Sequence, residues 1–425
     1  MRVTVKSVIS FLLVLVFFGV YQGGKYFMNN RLQELAIALA LGLYFYGAIF
    51  TAFTDRNIRW AWWFWVTPLF VGYVMISSSL AFAINAGVSM VPSLFAAREF
   101  MIVFLGPTLY FLYRLGFSLQ KIENLLIASM VMVILSYLFF YHTIDLKSAY
   151  FSKGYMFYLV TYDEWRGYRL KPPTYVLIIL TFYGLMRIFQ PGDRMVKTGF
   201  LIVVALVGYI WFLQKARSQM ATLAMSLMIY PILFKRPNRM NLFVLVAPIS
   251  LMLLIAGSDI LVEKFLNAEG AEVRAASYKI AWTFALKLPV FGYGQSSAFS
   301  KTYQDIFGGK FFPDDLGLIG MTFKYGFIGL AMYLFFNFYI ATRILKANWY
   351  YYKHHKAHNP LLWALFIQAT ASTTNMMLVP GLAYAEGLAT GSLAIALTAC
   401  YYEEFGVRPR KTRRGNSVDL KPDSS

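Results

Sequence analysis

The sequence predicts an all-α protein, a polytopic membrane bundle of about twelve transmembrane helices with a large external loop that contains an amphipathic helix. Three observations predict it. Of 425 residues, 59% are hydrophobic and 14% are charged. A soluble domain carries about 25% charged residues, so this chain cannot cover a water-facing surface of its own size. Apolar stretches of span length, about 20 residues each, follow one another along the chain. Basic residues return in alternate connections, as the positive-inside rule asks of cytoplasmic loops.

In chain order, Arg2 and Lys6 precede an apolar run from Val8 to Tyr21. The run has the look of a signal peptide, but Tyr21-Gln-Gly-Gly-Lys25 is a poor cleavage site and further spans follow. It reads as a retained first span with the N-terminus inside. The expected spans are 7–21, 33–53, 60–80, 95–113, 122–141, 174–190, 198–214, 219–234, 241–257, 322–345, 361–379 and 383–402. Loops placed inside carry Arg56 and Arg59; Arg114 and Lys121; Arg194 and Lys197; Lys235, Arg236 and Arg239; and Arg343, Lys346, Lys353 and Lys356. Both termini then lie in the cytoplasm. Trp60, Trp62, Trp63 and Trp65 open the third span and Trp349 to Tyr352 close the tenth, where interfacial aromatic residues belong. Residues 1–407 form one transmembrane domain, and the basic tail 408–425, with Arg408, Arg410, Lys411, Arg413 and Arg414, reads as cytoplasmic and disordered.

The same register puts two long loops outside, about His142 to Pro173 and about 258–320 between spans nine and ten. The second is the polar centre of the chain. It holds an amphipathic run from Glu272 to Lys287, a glycine turn Phe291-Gly-Tyr-Gly294, and a polar end Phe312-Pro-Asp-Asp-Leu316. Within the run, Val273, Ser277, Ile280 and Phe284 share one helical face, and Arg274, Tyr278 and Ala281 a neighbouring one. Composition excludes several classes. The single cysteine, Cys400, allows no intramolecular disulfide and no multi-cysteine metal site. The net charge of +19 is dispersed over loops and a short tail, which argues against nucleic-acid binding. No P-loop is present, and the four histidines make no metal pattern.

The residues that can carry chemistry lie at external edges. Arg217, with Lys215 beside it, caps a helical hairpin where basic residues are disfavoured. It either snorkels to headgroups or presents its planar fork to a diphosphate. Arg274 lies within the amphipathic run, which on its own reads as an interfacial helix that floats in headgroups. Asp314 and Asp315 are adjacent carboxylates before a span, and one of them can serve as a base. They can equally be solvated loop acids or, as a weak signal, a divalent-ion pair. Arg169 and Lys171 precede Pro172-Pro173, and Arg98 and Glu99 sit in the first turns of the fourth span, where snorkelling and a site are equally good accounts.

Taken together, Arg217-Ser218 opening a span, Arg274 with Tyr278 and Trp282 at four-residue steps, Phe291-Gly-Tyr-Gly294, and Gly326-Phe-Ile-Gly329-Leu330 resemble the bacterial O-antigen polymerase and O-antigen ligase superfamily. These are membrane-embedded C-type glycosyltransferases acting on undecaprenyl-diphosphate-linked glycans. Arg169 before Pro172-Pro173 matches that family's arginine-to-proline stretch more loosely. The resemblance covers roughly 165–345. One departure stands out: where ligases carry a His-Asn pair about eleven residues before the glycine that Gly326 matches, this chain has Asp315 beside Asp314 and no histidine in the loop.

The resemblance implies a polymerase at the outer face of the inner membrane. Arg217 and Arg274, with Arg169, Tyr278 and Lys215, would hold the diphosphate, and Asp315, with Asp314 in reserve, would be the base. It implies no cofactor and no metal. The implied partners are undecaprenyl-diphosphate-linked glycans, membrane lipids, a chain-length regulator and a flippase. A ligase differs only in its acceptor. A flippase or secondary transporter is the alternative of another class, but transporters place function near the midplane, whereas the charge here sits at external edges.

Overall fold

The computed structural model describes residues 4–27, 31–54, 62–152, 159–163, 167–214, 271–296, 302–308, 311–376 and 385–405. Helices dominate it. They are α1 (Val5–Val20), α2 (Arg31–Thr54), α3 (Trp62–Gly72), α4 (Ser78–Ala86), α5 (Met90–Ala96), α6 (Leu105–Arg114), α7 (Leu119–Thr143), α8 (Leu146–Phe151), α9 (Thr174–Phe189), α10 (Arg194–Gln214), α11 (Ala271–Lys287), α12 (Tyr303–Phe307), α13 (Gly317–His355), α14 (Pro360–Asn375) and α15 (Ala385–Glu404). A π-turn, Tyr73–Ser77, joins α3 to α4, and a 3-10 stretch, Ala97–Phe104, joins α5 to α6. Among the described residues, six helical stretches are long and apolar enough to cross a membrane: Arg31–Thr54, Thr67–Ala86, Met90–Arg114, Leu119–Thr143, Arg194–Gln214 and Gly317–His355. Val5–Val20 and Thr174–Phe189 are shorter apolar helices. The expected spans 219–234 and 241–257 and the tail 408–425 lie outside the described residues.

Two features depart from the sequence reading. The all-α expectation fails after α7, where β1 (Val160–Asp163) and β2 (Gly167–Leu170) form an antiparallel hairpin with Val160 opposite Leu170 and Tyr162 opposite Tyr168. Tyr162 and Tyr168 pack as a cross-strand aromatic pair with ring centroids 4.7 Å apart, the kind of contact that stabilises a short ribbon. Helix α13 is also longer than its expected span of 322–345, and it is broken, as described below.

The helices pack around one large apolar core that includes Leu13, Phe17, Phe111, Met130, Tyr137, Ile179, Leu345 and Phe366. Small and polar residues set the close crossings, as they do between helices in lipid. Gly106 lies so near α15 that a side chain there would strike Ser392, whose hydroxyl accepts from the Gly106 amide at 2.8 Å. Buried polar pairs such as Glu123 with Tyr183 at 2.8 Å and Asn359 with Tyr401 at 2.7 Å satisfy each other within the core.

The helix ends sort into two groups. At one end Lys6 reaches the Gly116 carbonyl at 3.4 Å, Arg114 pairs with Glu403 at 3.1 Å, and Gln190 donates to the His358 carbonyl at 2.6 Å. At the other, Arg98 pairs with Glu34 at 2.5 Å, Tyr26 donates to the Lys171 carbonyl at 3.1 Å, and Lys324 pairs with Asp314. Connections distant in sequence thus meet at the same end of the bundle.

Candidate functional site at the charged end of the bundle

The site is built on a break in a helix. At Gly326 the backbone of α13 turns to φ 67° and ψ −174°, a conformation open essentially to glycine alone. A break leaves backbone groups without helical partners, and these must be satisfied elsewhere. Here the glycine turn 289–294 satisfies them. Tyr293 N–H donates to the Phe323 carbonyl at 2.6 Å, Gly294 N–H to the Lys324 carbonyl at 3.0 Å, and Phe327 N–H to the Pro289 carbonyl at 2.7 Å. Gly292 and Gly294 also have positive φ, 71° and 100°. On its far side the turn is fixed to α4: Gln295 N–H donates to the Ser78 carbonyl at 3.1 Å and Asn85 donates to the Tyr293 carbonyl at 3.2 Å.

A second, smaller core covers this junction. Phe82, Ala281, Tyr293, Tyr303, Phe311, Leu316 and Phe323 are buried together, with Tyr278, Ile280, Phe284 and Phe307 partly buried against them. Tyr293 and Phe323 stack at 5.4 Å. The amphipathic run is helical as expected, but its buried line is Ser277, Ala281 and Ala285, with Trp282 and Lys279 exposed. That line runs between the two faces read from the sequence. It consists of small residues, which let α11 lie close against its neighbours.

Above the break, Pro313–Asp315 forms a 3-10 turn that leads into α13. Lys324, only 5% exposed, forms an ion pair with Asp314 and lies over the Tyr303 ring at 5.9 Å from its centroid. Burial, reinforced by the neighbouring Tyr325 and Asp314, pushes the Tyr303 phenol well above its ordinary range, and the hydroxyl donates to the Gly294 carbonyl.

Around this pair lies a wider charged cluster. Glu99 interacts electrostatically with Arg98, Asp314, Lys324 and Lys25. Lys25 in turn faces Glu386, Lys171 and Glu99. Burial pushes the Lys25 ammonium below the usual lysine range, and Glu386 opposes that shift. The Glu99 residue itself is exposed.

The residues singled out from the sequence fall as follows. Asp314 lies in the cluster. The backbone of Asp315 belongs to the same turn, and its side chain lies outside the described residues. Arg274 is in the first turns of α11, its side chain likewise outside them, and Lys215 and Arg217 lie outside them altogether. Tyr278 is half-buried against the aromatic core. Arg169 is half-buried on β2 and donates to the Gln214 carbonyl at 3.4 Å, at the C-terminal end of α10, where helix carbonyls lack intrahelical partners. Lys171, two residues on, is near enough to Lys25 for its like charge to disfavour the Lys25 ammonium.

Sequence reasoning missed Glu386 and gave Lys25 and Lys324 no role. A glutamate in the first turn of an apolar helix was the available signal for Glu386. Comparison of the chain with protein-family models and with curated proteins returned no match.

Proposed function

We propose that the protein is a bacterial O-antigen polymerase, a C-type glycosyltransferase with twelve spans, both termini in the cytoplasm and its site facing the periplasm. The observation that carries this reading is the interlocking of the two glycine segments on which the family resemblance rests, 291–294 and 326–329, through the Tyr293, Gly294 and Phe327 amide bonds. Segments that carry a shared motif and also build one junction, with ionisable residues around it, are what a reaction site requires.

In this reading the donor is a glycan chain on undecaprenyl diphosphate. A hydroxyl of the incoming lipid-linked repeat unit attacks the donor's anomeric carbon. The bond from that carbon to the diphosphate oxygen breaks with its electron pair, and undecaprenyl diphosphate leaves. Arg217 and Arg274 neutralise the departing diphosphate, supported by Arg169 and Lys215. Asp315 takes the hydroxyl proton. Asp314 has an oxygen committed to Lys324, which leaves it the reserve of the two acids.

Deletion of the gene in its host, followed by a gel of surface polysaccharide, tests the proposal. A polymerase leaves a single capped repeat unit. Long polymer without attachment identifies a ligase, and loss of every repeat identifies a flippase. An unchanged ladder overturns the reading.

A further inference from the structure

A polar cavity inside the bundle has no part in the chemistry assigned above. It lies between α13, α14 and α15, and Asn337, Ile340, Leu365, Gln368, Ser372 and Thr390 are among the residues that line it. Asn337 stands about 16 Å down α13 from the break at Gly326, at about 1.5 Å per residue. Its neighbours in that stretch, from Tyr333 to Ile344, are mostly apolar. Buried polar side chains so placed are costly unless they find hydrogen bonds.

Gln368 does not find all of its bonds within the protein. It is 4% exposed. Its Nε2 donates to Ser372 Oγ at 3.0 Å, one turn on, and its Oε1 is buried with no partner among the described residues. Turning the amide over only exchanges the orphan, because Oε1 would then accept from Ser372 and Nε2 would be left. Asn337, equally buried, donates through Nδ2 to the Tyr333 carbonyl of its own helix at 3.1 Å. Its Oδ1 accepts no hydrogen bond among the described residues. The Ser372 hydroxyl accepts from Gln368 and keeps its own hydrogen to donate. Two acceptors on neighbouring helices and one donor suit a neutral molecule that both donates and accepts. Among the described residues no charged side chain lines the cavity, so a cation would meet no carboxylate there. Size narrows the ligand to one heavy atom. The cavity leaves about 20 Å³ for the centre of a water molecule, and one water needs about 10–15 Å³ by that measure.

We propose that this cavity binds one water molecule, which donates to Gln368 Oε1 and Asn337 Oδ1, accepts from the Ser372 hydroxyl, and so joins α13 to α14 inside the apolar bundle. A water so held satisfies the orphaned amide. It also supplies a polar link between two helices, the kind of contact that holds helices together in lipid. The assignment is independent of the polymerase reading.

Radiolytic hydroxyl-radical labelling of the full-length protein in lipid nanodiscs tests it, because radicals formed from a held water oxidise the side chains beside it. Leu365, 1% exposed, lines the cavity, and Leu126, 0% exposed, belongs to the core away from that lining. Leu365 is expected to be oxidised well above Leu126, and the Gln368→Met, Asn337→Leu double variant is expected to lose that difference. Leu365 labelled no faster than Leu126 in the parent overturns the proposal, and so does a difference that persists in the double variant. Labelling of Leu365 that vanishes when choline replaces sodium in the buffer marks a hydrated cation and also overturns it. Melting temperatures give a second readout. Gln368→Met and Asn337→Leu are each expected to lower the melting temperature by roughly 2 °C or more. The double variant should fall short of the sum, because both changes break one bridge. In a dry cavity Gln368→Met removes an orphaned amide instead. A Gln368→Met protein more stable than the parent, or strictly additive shifts, therefore overturns the bound water. If a variant fails to accumulate, the labelling of the parent decides alone.

Discussion

Gly292 and Gly326 meet backbone to backbone. A Cβ on Gly292 would stand 2.6 Å from the Gly326 amide nitrogen, and a Cβ on Gly326 would stand 2.1 Å from the Val290 carbonyl oxygen. Both have positive φ, so each resists a side chain twice, through its own dihedrals and through the other's segment. Either alanine substitution is expected to destabilise the protein by roughly 3 kcal/mol or more. The double variant should be no worse than the sum and is expected to fall short of it, because both changes pry open one contact. Gly308, with φ 100° but open space around its Cβ position, is the control. Gly308→Ala should cost only the conformational strain, about 1–2 kcal/mol. Thermal unfolding in detergent measures all four, and a Gly326→Ala protein as stable as Gly308→Ala would contradict the packing.

The acids before α13 separate by partner. Asp314→Asn removes the ionic partner of the buried Lys324. Because half of the Asp314 side chain is exposed, solvent screens the pair and the expected stability loss is modest, about 1 kcal/mol. Lys324→Met with Asp314→Asn should recover that loss. Asp315→Asn should leave stability alone and lower turnover about 10²–10⁴-fold, as removal of a general base does. Melting curves and chain-length gels read the two effects independently. Full activity in Asp315→Asn would remove it from the chemistry.

The arginines are tested by a change that keeps charge. Lysine cannot present the bidentate fork that guanidinium offers a diphosphate. Arg217→Lys and Arg274→Lys are therefore expected to accumulate normally and lose most polysaccharide elongation. Normal ladders from both would assign them to headgroup contact, since lysine snorkels equally well.

Much of this was legible in the sequence because two simple signals dominate it. The need for about 20 apolar residues per crossing located helices such as α2, α7 and α10. The basic loops predicted a sidedness; the structure pairs Arg114 with Glu403 and Arg98 with Glu34. The junction was half legible: both glycine motifs were seen, but not that they pair, because a hydrogen bond from Tyr293 to Phe323 joins residues with no periodic relation. The β-hairpin was hidden because Val160, Tyr162, Tyr168 and Leu170 are too few to register as alternation. Glu386 and Lys25 were hidden because a single charge near a helix end reads as snorkelling until its neighbours across the bundle are known.

Topology gives the last test. The positive-inside rule predicts a C-terminus inside and the 258–320 loop outside. A reporter fused after Lys411 should behave as cytoplasmic and one inserted near Gly308 as periplasmic. An external C-terminal reporter would put Asp314, Asp315 and the charged cluster in the wrong compartment for the proposed reaction.

The break at Gly326 also bears on how the protein sits in bilayers of different thickness. The part of α13 after the break, 327–355, runs from an apolar stretch into a charged end with Lys346, Lys353, His354 and His355. An apolar stretch changes its tilt to suit the thickness of its membrane. Continuous with the segment before it, it would swing that segment at every change of tilt. Interrupted at Gly326, with 317–325 anchored instead to the 289–294 turn, the lower helix can lean while the upper piece stays in register with Asp314 and Lys324. The break acts as a universal joint, and it insulates the geometry of the charged end from the length of the surrounding lipid tails.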